Sequence, residues 1–365
     1  MASEASCDSC PVEPKPDVLF ITRKWAPAMG GMETYSHRLA GELASLATLD
    51  VIALPGQADG QAPSALALAG FPFTVLARWL ARDKAPDVLH LGDMAIWPLG
   101  LLAALAFGRT RVAISAHGTD VAYHRRGGLK GALYGAYLRL GARLLGKARI
   151  IANSAATREV AAETGWRTAS VVPLAADMAG PASDGTHDGA ILFAGRLVER
   201  KGAAWFIRDV LPGLPEGLRL QVAGTVWDKA EAALLDHPRV EFLGRLQGAA
   251  LARAYARALC VIVPNIPVKS GEYEGFGLVA PEAAAAGGVV LAAACDGLLD
   301  AVIDGETGFH IAPGDAAAWQ ARIAEIAGWT DEKRRTFVTR AQAIAAEFYS
   351  WPRVARQTLA AIIGD

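Results

Sequence analysis

At 365 residues the chain exceeds the roughly 250 to 300 at which a single hydrophobic core stops growing, so two domains are expected. A hydrophobic fraction of 52% against 20% charged residues excludes a disordered chain, and a formal net charge of -1 supplies no overall field to attract nucleic acid. Any electrostatic partner must be met by a local patch.

Residues 1–16 (MASEASCDSCPVEPKP) read as a flexible tail, polar, acidic and proline-bearing. They lack the apolar core of a secretory signal, which points to the cytoplasm. The four cysteines, Cys7, Cys10, Cys260 and Cys295, are too few for a disulfide framework. Cys7 and Cys10 form a C-x-x-C outside any strand-helix context and offer only two ligands where a structural zinc takes four, so no metal is expected. Asp17 to Thr22 (DVLFIT) predicts a strand. A loop with Pro27, Gly30 and Gly31 follows, then METYSHRLAGELASLA, whose Met32, Tyr35, Leu39, Leu43 and Leu46 recur at helical spacing.

Further strands are expected at 51–54, 88–91, 112–115 and 150–153, separated by helical stretches. Such alternation is the pattern of a parallel, doubly wound sheet. The apolar run 94–107 (MAIWPLGLLAALAF) carries Pro98, is too short to span a bilayer and reads as a buried loop and helix. From Val121 to Ile150 there are seven Lys or Arg residues and no Asp or Glu. Within that segment Leu129, Leu133, Tyr137, Leu140 and Leu144 make a helical stripe, with Arg139, Arg143 and Lys147 beside it at four-residue spacing. Like charges at that spacing repel, so a membrane surface or a lipid-linked phosphate would relieve them; a solvated basic helix is the plain alternative.

Residues 178–189 (MAGPASDGTHDG) read as a linker, after which AILFAGRLVERKGAAWFIRDVLPGL repeats the opening strand, glycine-bearing loop and helix. More strands are expected at 219–223, 240–243, 259–263 and 289–293. The plan is α/β: two Rossmann-like, doubly wound domains, over 17–180 and 181–345, facing across a deep cleft. Residues 346–365, with Pro352 in a first helical turn, read as a terminal helix.

Ligands of doubly wound sheets sit beyond the carboxyl ends of the strands, and chemically loaded residues cluster there. After the first strand come Gly30 and Gly31, without G-x-G-x-x-G spacing. VAIS is followed by AHGTD, with His117 and Asp120, and ILFAG by Arg196, Arg200 and Lys201. LCVIVP leads to EGFGLVAPE, in which Glu274 and Glu282 bracket Gly275, Phe276, Gly277, Leu278 and Val279. Its glycines permit close backbone approach, Pro281 suits a first helical turn, and a helix N-terminus seats an anion. Singly, these features also fit a turn histidine, surface cations and an ordinary loop-to-helix junction. Their coincidence at one edge of two similar domains suits a cleft with cations for a diphosphate, carboxylates for hydroxyls and a histidine across the gap.

PAMGGMETYSHRLAGEL, AHGTDV, FAGRLVERKG, VEFLG and EGFGLVAPEAAAAGG occur in that order, and on these motifs the chain resembles the retaining GT-B glycosyltransferases of family 4, from residue 17 onward. The resemblance implies transfer of a hexose-type sugar from a nucleoside-diphosphate sugar, a UDP-sugar before a GDP-sugar, without metal or cofactor. The acceptor would be a hydroxyl on a lipid-linked, glycolipid or polysaccharide intermediate, at the cytoplasmic membrane face. It places Glu282 on the ribose, Arg196 and Lys201 on the diphosphate, the N–H groups from Phe276 to Val279 on phosphate and sugar, and Glu274 on the sugar hydroxyls. Gly30 and Gly31 would close over the phosphates, and His117, with Asp120 nearby, would reach the donor sugar. The resemblance further implies that 17–180 is the acceptor domain and 181–345 the nucleotide-sugar domain, and that the helix within 346–365 crosses back to the first. Retention is implied by same-face attack, the leaving phosphate taking the acceptor's proton. No D-x-D sequence occurs.

The chain departs from the family at VVPLAAD, which keeps only Pro173 and Asp177 of a Pro-Asn-Gly-Val-Asp pattern, and at Asn265, where serine is frequent. A sugar-nucleotide epimerase of the same architecture and a transferase with a small soluble acceptor are alternatives. A dinucleotide-dependent oxidoreductase lacks its glycine fingerprint here, and a binding scaffold would have no need of the cleft residues.

Overall fold

The computed structural model describes residues 14–28, 30–106, 108–180 and 184–364; Cys7 and Cys10 lie outside them. The first sheet contains β1 (Asp17–Trp25), β2 (Thr48–Pro55), β3 (Val88–Leu91), β4 (Arg111–Ala116), β5 (Arg149–Ala152) and β6 (Ala169–Val171) in the order β2-β1-β3-β4-β5-β6. The second contains β7 (Ala190–Leu197), β8 (Arg219–Val226), β9 (Val240–Gly244), β10 (Cys260–Val263), β11 (Val290–Ala293) and β12 (Phe309–Ile311) in the order β12-β11-β10-β7-β8-β9. The pairings within both sheets are parallel. The inner strands VLHL, CVIV and VLAA are buried along their whole length, as a sheet covered by helices on both faces requires.

Strand order reverses between β1 and β3 in the first sheet and between β7 and β10 in the second. Loops leaving neighbouring strands diverge at such a point and open a crevice. The loops after β1 and β3 flank one reversal and those after β7 and β10 the other, which gathers Gly30 and Gly31, Arg196 to Lys201 and Glu274 near the crevices, while AHGTD leaves β4, one strand further along the first sheet. The three-residue edge strands β6 and β12 are absent from the sequence reading; ASV and FHI are too short to show a period.

Helices Ala65–Leu80, Trp97–Ala106 and Gly128–Leu144 follow β2, β3 and β4. Right-handed crossovers place them side by side on one face of the first sheet. On the opposite face, helix Gly31–Leu46 meets the last helix, Trp351–Ile363, where the rings of Tyr35 and Trp351 lie 6.2 Å apart. Arg111 Nη1 donates to Ile363 O at 2.9 Å and Trp351 Nε1 to Asp177 Oδ1 at 2.8 Å, tying that helix to the first domain and to the connection between the sheets. One apolar cluster runs from the second sheet through this helix to the first domain, while a second fills the other face of the first sheet. The run 94–107 is only partly interior: Leu102 and Leu105 are 49% and 76% exposed. Among the described residues no helix is long and apolar enough to cross a membrane.

Candidate functional site

The first-domain wall is built at the end of β4. Gly118 takes a φ of 130°, a conformation suited to glycine, and turns the chain away from the sheet. Asp120 holds that turn from inside: Oδ1 accepts the N–H groups of His117 (2.9 Å) and Gly118 (3.0 Å), and Oδ2 accepts that of Met94 (3.1 Å). Asp120 is therefore directed inward, a difference from the expectation of ligand contact, because three buried N–H groups converge on its carboxylate. His117 is oriented by Gly92 O, 3.0 Å from its Nε2, and by the edge of Tyr35 at 4.5 Å between ring centroids. A carbonyl only accepts, so Nε2 carries the proton and Nδ1 is left as an acceptor. Behind it His90 is fully buried, 2.8 Å from Ser115 Oγ, and burial first, then the His117 charge, pushes its pKa down to about 3.

The second-domain wall gathers charge in a small volume. Glu274 accepts from Arg200 Nη1 at 2.7 Å and Asn265 Nδ2 at 3.3 Å, and it forms an ion pair with Lys201, itself only 8% exposed. Burial alone would raise the Glu274 carboxyl, but Lys201 and then Arg200 outweigh it and hold the pKa at about 2. Arg196 has no acidic partner among the described residues; its guanidinium lies over Trp227, 4.9 Å from the ring centroid. Glu282, in the first turn of helix Val279–Ala286, is in the opposite state. Burial, then the charge of Asp177, pushes its pKa up to about 7 against the pull of Lys201.

The walls touch across the cleft. Gly275 O accepts from Ser154 Oγ at 2.6 Å and Thr157 Oγ1 at 3.2 Å, and the Ala155 N–H donates to Asp300 Oδ2 at 2.8 Å. A Cβ on Gly275 would strike His117 O, so glycine is required for the loops to meet. Between them lies a cavity of about 390 Å³ that Gly31, His117, Arg196, Lys201, Glu274 and the segment Gly275–Val279 help to line. The N–H groups of Phe276, Gly277 and Leu278 make no hydrogen bond to described residues. A second pocket of about 270 Å³ shares Arg196, Arg200 and Tyr273 and adds Tyr123, Arg126 and Trp227.

Of the residues expected from sequence, Gly31, His117, Arg196, Lys201, Glu274, Gly275, Phe276, Gly277, Leu278 and Val279 line one cavity. Gly30 lies one residue behind, beside Glu33; Arg139 and Arg143 are exposed on helix Gly128–Leu144 and Lys147 is exposed beyond its end, a correction to the expected helical line of three cations, and none of the three lines this cavity. The sequence named Arg200 and Asn265 without giving either a role, and it did not point to Tyr273 or to Asp296, whose Oδ2 accepts the Glu274 N–H at 3.1 Å. Asp296 lies three residues beyond the end of β11, in AAACDG, within the strand-end signal applied elsewhere. The arrangement suits an anionic, hydroxyl-rich ligand: unsatisfied N–H groups and an unpaired guanidinium on one side, a fixed carboxylate on the other.

Comparison with known proteins gives the same picture. A family model described as "Glycosyltransferase Family 4" matches residues 29–179 and one described as "Glycosyl transferases group 1" matches 188–328. An uncharacterized glycosyltransferase of Methanocaldococcus jannaschii is 32% identical over 180 residues, 46% of this chain and 43% of that protein. The D-inositol 3-phosphate glycosyltransferase of Nocardia farcinica is 37% identical over 153 residues, 42% of this chain and 32% of that protein. The match thus spans less than half the length of these curated relatives. The fold of HepE from Anabaena, solved in complex with UDP, superposes with a TM-score of 0.71 at 19% identity, covering 94% of this chain and 98% of that one. HepE in complex with UDP-glucose gives a TM-score of 0.68 at 20% identity over the same shares.

Proposed function

The chain belongs to glycosyltransferase family 4 and has the GT-B architecture, and on that premise we propose that it transfers a hexose-type sugar from a nucleoside-diphosphate sugar, a UDP-sugar before a GDP-sugar, to a hydroxyl acceptor. The acceptor is a lipid-linked, glycolipid or polysaccharide intermediate met at the cytoplasmic face of a membrane. One observation carries the reading: a single cavity combines the unpaired Arg196, open N–H groups at a helix start and a permanently ionised Glu274. HepE, bound to UDP and to UDP-glucose, supports a uridine donor.

In this reading the diphosphate lies against Arg196, Lys201 and the N–H groups from Phe276 to Val279, with Gly30 and Gly31 closing over it. Glu274 receives hydroxyls of the transferred sugar, His117 offers Nδ1 to another, and Glu282 receives the ribose. As the bond from the anomeric carbon to the phosphate oxygen breaks, the charge growing on the phosphate meets donors already in place, which favours the transition state over the ground state. The acceptor oxygen bonds to the same face of that carbon and its proton passes to the leaving phosphate. Glu274, with two cations on its carboxylate, is a poor nucleophile, which supports same-face retention over a double displacement. The positive charge needed at the phosphates is supplied by side chains, so neither metal nor cofactor enters the scheme; the sugar nucleotide is a substrate.

Calorimetry with UDP, GDP, ADP and NAD, in EDTA, tests the proposal on the wild type and on Glu282→Ala and Arg196→Ala. Binding of one nucleoside diphosphate, weakened in both variants, is expected. NAD binding, or no nucleotide binding, would overturn it. Incubation with the matching sugar nucleotide alone separates the epimerase alternative, which would convert the donor without an acceptor.

A further inference from the structure

Helix Gly128–Leu144 is built inside out. Its buried positions are Gly131, Gly135, Leu138 and Gly141, while Leu129, Leu133, Leu140 and Leu144 are 76%, 61%, 49% and 50% exposed. At roughly 100° per residue these four leucines fall within about 60° of one another, nearly opposite the buried face. The glycine face is dictated by close approach: a Cβ on Gly141 would come within 2.7 Å of Trp166 and 2.8 Å of Trp97. Arg139 and Arg143 border the stripe on one side, and both are exposed.

The next two helices in the row, Trp97–Ala106 beside it and Ala65–Leu80 beyond that, behave alike. Leu105 is 76% exposed on Trp97–Ala106, and Leu66, Phe73 and Leu80 are 84%, 74% and 76% exposed on Ala65–Leu80. Large apolar side chains repeated across three adjacent helices mark a docking surface, not scattered exposure. The segments that carry them, 65–82, 94–111 and 121–150, contain no Asp or Glu, and exposed acids enter at their borders, at Asp83 and at Glu163, which pairs with His124 and Arg125. Where the first-sheet helices end, Arg109, Arg111, Lys147 and Arg149 line a pocket of about 490 Å³ and pair with no acid among the described residues. The carboxyl ends of helices 97–106, 128–144 and 351–363 lie beside that pocket and carry roughly half a negative charge each, which leaves the four cations in excess.

We propose that this three-helix face of the first domain docks on an anionic lipid bilayer, with the leucines entering the interfacial layer and the arginines and lysines meeting the headgroup phosphates. A second copy of the chain is a poor occupant, because face-to-face pairing would set cations against cations. The inference is independent of the transfer reaction. It also gives that reaction a setting: Arg126, which lines the pocket adjoining the cleft, is two residues from the start of the leucine helix, so a docked molecule presents the cleft to an acceptor carried in the lipid.

Flotation with phosphatidylcholine vesicles, with and without phosphatidylglycerol, tests it on the full chain. The wild type should float only with the anionic vesicles and be released by salt. Leu133→Asp with Leu140→Asp should abolish flotation, and Arg139→Ala with Arg143→Ala should weaken it by about fivefold per cation removed. These side chains are exposed, so melting and nucleotide affinity should not change, which separates loss of docking from misfolding. Absence of flotation in the wild type at low salt, or flotation undiminished in the leucine variant, would overturn the proposal. So would light scattering that shows a dimer dissolved by the leucine substitutions, which would assign the face to a second copy.

Discussion

Replacing Glu282 by glutamine isolates a charge that the folded cleft disfavours. The carboxyl is pushed up to about 7 from an ordinary 4.5 by burial first and Asp177 second. At about 1.4 kcal/mol per unit the elevation corresponds to at most about 3.5 kcal/mol, and the partial exposure of the side chain reduces this to about 1–2 kcal/mol. Between 4.5 and about 7 the folded chain holds a proton that the unfolded chain has released, so stability falls as pH rises through this window. Above it the penalty is complete. Glutamine carries none, and for a domain of this size 1 kcal/mol moves Tm by about 2–4 °C. Calorimetric scans near pH 8 should therefore show Glu282→Gln melting about 2–8 °C above the wild type, with the gap closing toward pH 4.5. If the ionised carboxylate receives ribose hydroxyls, the same variant should bind nucleoside diphosphate about 10- to 100-fold more weakly. Wild-type affinity should rise as pH passes about 7. A variant that melts below the wild type near pH 8, or that binds nucleotide equally well, would refute the reasoning.

Lys201→Met leaves Glu274 with Arg200 as its one remaining cation; if Lys201 meets the leaving phosphate as proposed, kcat should fall by about 100- to 1,000-fold in steady-state assays. Arg196→Ala should lower diphosphate affinity tenfold or more while melting changes little, since stacking on an exposed tryptophan contributes only about 0.5–1 kcal/mol. Gly275→Ala places a Cβ against His117 O and should hold the two walls apart; X-ray scattering should report a larger radius of gyration, with transfer activity reduced and nucleotide binding retained.

Much of the architecture was legible because it rests on local regularities. Alternating apolar runs and helical stripes announce a doubly wound sheet, and the loaded motifs after VAIS, ILFAG and LCVIVP stand where such sheets place ligands. EGFGLVAPE could be placed at a helix start from Pro281 and its glycines alone. Orientation within that frame was decided by tertiary structure. FAGRLVERKG offers three cations, and only the folded geometry pairs Lys201 and Arg200 with Glu274 while leaving Arg196 on Trp227. Asp120 turned inward because three N–H groups were buried beside it. The leucine stripe of helix 128–144 shows the reason most plainly. Periodicity tells which residues share a face, but which face is buried depends on the space available, and there Trp97 and Trp166 leave room only for the glycine side.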